Sequence, residues 1–105
     1  MMKILLVNPG RRDYVVNFFL DIQKKYNLDI YLIDSDKFIP SFKVSKKTKN
    51  YICPKVTNKK KFKFFLRKFI LKKKINVVFP ISEWELELLA KEKSFYEKKN
   101  IKIII

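Results

Sequence analysis

Apolar positions along the chain alternate between short continuous runs and longer stretches with a helical period. Residues 3–7, with Ile4, Leu5, Leu6 and Val7 unbroken, predict a strand buried on both faces. Pro9 stops it and Gly10 frees the backbone to turn. Asp13 is placed to cap the helix that follows. Tyr14, Val15, Phe18, Phe19, Ile22 and Tyr26 recur at helical spacing and read as core packing, with Asp21, Lys24 and Lys25 off that stripe. Asn27 closes the helix, and residues 29–34 form a second strand around Ile30, Tyr31, Leu32 and Ile33. Residues 37–50 are a polar connection carrying Phe38, Ile39, Pro40, Phe42 and Val44, expected to pack on the body with room for one helical turn. Residues 51–53 make a short third strand stopped by Pro54, and a strand this short belongs at a sheet edge.

Thr57 or Asn58 opens the second long helix, whose Phe62, Phe65, Leu66, Phe69 and Ile70 fit one face without a miss. Residues 76–80 are a fourth buried strand, again ended by proline. Ser82 and Glu85 then form a capping box, and a third helix led by Trp84, Leu86, Leu88 and Leu89 runs to about Lys98. Residues 101–105 read as a fifth strand. Each long helix lies between strands, which predicts one α/β domain over residues 1–105. The expected architecture is Rossmann-like and three-layered, a parallel sheet of about five strands with helices on both faces. Right-handed crossovers give the strand order 3-2-1-4-5.

Charge changes this picture less than its size suggests. The net charge is +15, with 25 Lys and Arg against 10 Asp and Glu, and such an excess favours polyanions. The lysines, however, fall on polar helix faces, eight of them with Arg67 between residues 59 and 74. The aromatics of that helix lie on its core stripe, poorly placed for base stacking, so nucleic acid is disfavoured. A single glycine excludes the Gly-rich phosphate loops. No histidine and one cysteine exclude a Ser-His-Asp triad, a Cys-His pair, a His-ligated metal and an internal disulfide. Cys53 reads as a small buried residue at a strand end. The first apolar run is too short for a signal peptide or a membrane span, which points to a cytoplasmic protein with no membrane partner.

Candidate chemistry gathers at strand ends. In parallel α/β folds ligands bind outside the carboxyl ends of the strands, beside helix N-termini. Gly10, Arg11 and Arg12 lie at such a junction, suited to an anionic ligand, although any strand-to-helix turn needs the same glycine. Asp34 ends the second strand 24 positions after Gly10, where a dinucleotide fold holds ribose hydroxyls. An acid capping the following turn explains it equally well. The predicted strand order sets the loop 8–13 against the loop 80–85. Arginines on one side and Glu83 and Glu85 on the other make a crevice suited to a zwitterion. The helix dipole also accounts for acids at 83, 85 and 87.

Four stretches together carry a resemblance: Lys3 to Arg12 with its Gly-Arg-Arg loop, Asp34-Ser35-Asp36 with Pro40, Tyr51 to Thr57 with Cys53-Pro54, and Val78 to Ala90 with Pro-x-x-x-x-Glu-Leu-x-x-Leu-Ala. In order and spacing they resemble the N-terminal, pre-ATP-grasp domain of carbamoyl-phosphate-synthase-like ATP-grasp proteins. The resemblance implies a substrate-side domain of a carboxylate-amine or related ligase, with Gly10, Arg11, Arg12, Asp34, Glu83 and Glu85 as contacts across a cleft. It implies no catalytic or metal residue and no cofactor in this chain. ATP and magnesium belong with an ATP-grasp domain, in the same or a separate chain, that acts on a small-molecule substrate. Alone, the chain is not expected to catalyse ligation. Two other readings stand beside this one: a free-standing nucleotide-binding module using Gly10 and Asp34, and a small basic protein that binds nucleic acid or an acidic partner. The edge at residues 101–105 leaves a homodimer open.

Overall fold

A computed structural model describes all residues, 1–105. Its elements are β1 (Met2–Val7), α1 (Asp13–Tyr26), β2 (Leu28–Asp34), a 3-10 turn (Pro40–Lys43), β3 (Thr48–Ile52), α2 (Lys59–Lys73), β4 (Val77–Pro80), α3 (Glu83–Glu97) and β5 (Lys102–Ile103). All strands pair in parallel, in the order β3-β2-β1-β4-β5. The three-layer arrangement expected from the hydrophobic runs is therefore the observed one. β1 is central because it is apolar on both faces: Ile4, Leu5, Leu6 and Val7 are all buried. Even residues of β1 and β2 (Ile4, Leu6, Ile30, Leu32) pack with Val16 of α1, and odd ones (Leu5, Val7, Tyr31, Ile33) pack with α2 and α3. That split is the period of two in a strand. Val7 lies opposite Ile33 on one side and Pro80 on the other, so three strands end level.

Several local expectations shift. Asp13 is not a cap: Arg12 holds that position without a capping side chain, and Asp13 is the first helical residue, an acid in the first turn. There it acts through the helix dipole instead. At α2 the cap is Asn58, whose side chain accepts from the Lys61 N–H at 3.4 Å. Tyr14, Phe18 and Tyr26 are exposed, not packed. α1 is the only long helix on its face and turns Val15, Val16, Phe19, Leu20 and Ile22 to the sheet. The outer part of its wide stripe has no second helix to meet. Trp84 is likewise exposed. The third strand begins at Thr48 and ends before Cys53, because an edge strand buries little and needs no apolar run. The fifth is two residues long. No helix is long and apolar enough to cross a membrane.

Candidate functional site

The level ends of β1, β2 and β4 leave three loops side by side. Asn8, just past β1, takes φ 53°, and Gly10 takes φ 54°. Asparagine tolerates this left-handed region and glycine enters it freely. These two residues reverse the chain at once after the strand. The Gly10 N–H donates to Asp34 Oδ2 at 3.1 Å, and the Asp36 N–H donates to Asp34 Oδ1 at 3.1 Å. The Ser41 hydroxyl donates to the Gly10 carbonyl at 2.7 Å. Asp34 thus closes the β1–α1 loop onto the end of β2. Both of its oxygens already accept backbone donors, an arrangement that favours turn-fastening over ribose binding.

Asn8 joins the other side. Its amide donates to Glu85 Oε2 at 3.2 Å, and its Oδ1 accepts from the Cys53 thiol at 3.8 Å. Glu85 is fully buried. Its Oε1 accepts from the Ser82 N–H at 2.8 Å, completing the capping box of α3. Burial raises the Glu85 carboxyl to about 7, against the opposing pull of the Ser82 N–H and the Asn8 amide. Burial first, then the Asp34 and Glu85 charges, pushes the Cys53 thiol up to about 12. At neutral pH that thiol is protonated, which makes it a packing group and not a nucleophile.

Above this bracing lies a shallow cleft of about 390 Å³ lined by Asn8, Gly10, Asp34, Ser35, Lys55, Val56, Thr57, Ser82 and Trp84. A second groove of about 250 Å³ between α2 and α3 shares Val56 and Trp84 with it. The cleft gathers Gly10 and Asp34 directly, with Glu85 beneath Asn8. Arg11 and Arg12 are exposed and do not line it. Arg12 donates to the Ile81 carbonyl, which ties the loop after β1 to the loop after β4 as their facing predicts. Glu83 is exposed and outside the lining. The cation that does line the cleft is Lys55, from the loop after β3, and reasoning from the sequence passed over it, as it did Asn8 and Ser82 as lining residues. The available signal was Pro54, which ends the third strand level with the other loops and so turns the next residue into the same space. No group of three or more Cys, Asp and Glu side chains converges to hold a metal ion.

The family model described as PylC-like, N-terminal domain, matches residues 4–104, nearly the whole chain. No curated protein matches it.

Proposed function

Since the chain belongs to the PylC-like N-terminal domain family, a kind of domain associated with ATP-grasp proteins, we propose that it forms the substrate-side wall of an ATP-grasp ligase. The finer placement, beside carbamoyl-phosphate-synthase-like enzymes, rests on the Gly-Arg-Arg loop and the Pro80 to Ala90 stretch. The observation that carries the reading is the cleft over the carboxyl ends of β1 and β2, next to the β1–β4 junction where the connections change direction. An open parallel sheet offers its ligand site at that crevice.

In this reading ATP and magnesium sit on the facing ATP-grasp domain, which carries the phosphoryl and ligation chemistry in the cytoplasm. This chain orients a small substrate. Lys55 meets a carboxylate or phosphate, and Gly10 keeps the floor free of side chains. Asn8 is held in place by Glu85, which acts as a positioning residue. Arg11, Arg12 and Glu83, exposed at the rim, are the groups that reach the facing domain, arginine being suited to bidentate anion contacts.

Trp84 is the only tryptophan and lines the cleft, so its fluorescence reports occupancy. Titration with amino acids and small carboxylic acids is expected to give a saturable change that Lys55→Ala abolishes. A change with ATP alone, unaffected by Lys55→Ala, overturns this reading in favour of a free-standing nucleotide module.

A further inference from the structure

The β3 edge of the sheet carries a second surface with its own chemistry. β3 is an edge strand, so one row of its backbone N–H and C=O groups has no partner in the sheet. Beside it, between β3 and α2, runs an open groove of about 370 Å³. Tyr51, Phe65 and Phe69 floor it, Ile52 flanks it with 49% of its surface exposed, and Lys68, Lys72 and Lys73 line it. No acidic residue lines it.

None of these three lysines makes an ion pair, whereas Lys91 and Arg67 on neighbouring helical surfaces meet Glu87 and Glu92. Lys73 instead sits over the Tyr51 ring, 5.0 Å from its centre. Lysines on an edge strand often serve only to repel other strands. Here the strand's own lysine, Lys49, is drawn to Asp29 at 2.9 Å on the neighbouring strand. The free charges belong to α2, set back above the groove, where they flank an added strand without blocking it.

We infer that the outer edge of β3 and this groove form a docking site for an extended acidic segment of a partner protein. Such a segment pairs its backbone with β3 and lays alternate side chains along the groove, beside the edges of the Tyr51 and Phe65 rings. Its carboxylates answer Lys68, Lys72 and Lys73. Nucleic acid fits less well, because the rings cover one another. Tyr51 stacks on Tyr31 at 6.3 Å, Phe65 on Phe69 at 5.6 Å, and Phe69 meets Tyr51 edge-on at 5.1 Å. Base stacking needs an open ring face.

The test uses the full chain and a fluorescein-labelled heptapeptide of alternating glutamate and valine, read by fluorescence anisotropy. Saturable binding is expected, weakened roughly tenfold in the triple variant Lys68→Gln, Lys72→Gln, Lys73→Gln. The triple variant Lys59→Gln, Lys60→Gln, Lys61→Gln, at the other end of α2, is expected to bind within about twofold of the wild type. Two further peptides, N-methylated at alternate amides in either frame, leave the protein untouched. One frame should lose binding, because a strand turns every second amide toward its neighbour. Absent binding, equal losses in the two triple variants, or both methylated peptides binding like the parent would each overturn the inference. So would tighter binding of a single-stranded oligonucleotide of equal charge that is lost in the first variant.

Discussion

Glu85 is an acid placed where charge is costly, and the cost has a sign that can be measured. Its carboxyl ordinarily titrates near 4.5 and in the fold near 7. Between those values the folded chain holds a proton that the unfolded chain has lost. Stability therefore falls as pH rises through that window, by on the order of 3 kcal/mol in all. The chain has no histidine, so few other groups titrate there. Urea unfolding at pH 5 and pH 7.5 should show the wild type more stable at the lower pH. In Glu85→Gln that difference should vanish. Equal wild-type stability at both values would mean that the site is wetter than its burial implies. The Ser82–Glu85 capping box was legible, since it is a local pattern of four residues. The burial of Glu85 was not, because it depends on Asn8, 77 positions away. Lys55 was missed for the same reason. Pro54 marks where β3 stops, but the place of Lys55 in the cleft is set by where that end lies relative to β1, a relation between strands that the proline alone does not carry.

At the scale of elements, α2 and α3 are joined by one clamp. Arg67 donates to both oxygens of Glu92 at 2.7 Å, and its guanidinium lies over the Phe95 ring, 3.9 Å from its centre. The two partners are unequally placed: Glu92 is buried, while Arg67 keeps part of its surface in water. Arg67→Ala strands a carboxylate in the interior, whereas Glu92→Ala leaves a guanidinium that can turn outward. The first substitution should therefore lower the urea midpoint more than the second at neutral pH. The reverse order would show that packing against Phe95 outweighs the charge pair. The long helices were readable from their stripes, down to the five apolar positions of α2. α1 shows the limit of that method. Its stripe is wider than the surface it meets, and periodicity cannot tell Phe19, packed on Phe79 at 4.9 Å, from the exposed Phe18. β3 shows the opposite limit, since Thr48, Lys49 and Asn50 carry no hydrophobic run at all.

For the whole molecule the strand order was legible because it follows from handedness once the elements are known. The charge has a consequence of its own. Twenty-five cationic side chains are set against ten acids, and the fold makes four ion pairs. Most of the positive charge is unneutralised and repels itself. Raising salt from about 0.01 M to about 0.15 M shortens the screening length from roughly 30 Å to roughly 8 Å. The thermal midpoint should rise across that range. A flat response would show that the lysines are spaced too widely to strain the fold.

The two faces of the sheet also differ in when they can be finished. The fully buried residues beneath α1 all come from positions 4 to 32, with Val77, Phe79 and Ile81 packing on them only once β4 has been made, whereas the buried cluster on the opposite face runs from Leu5 to Ile103. A chain leaving the ribosome can build the centre of the first face while the second has no cover. Leu5, Val7, Tyr31 and Ile33 then wait for α2 for a few seconds, at roughly 5–20 residues per second. For that interval the growing chain is a two-layer sandwich with one greasy side, and the order of its synthesis exposes that side to chaperones and to neighbouring chains.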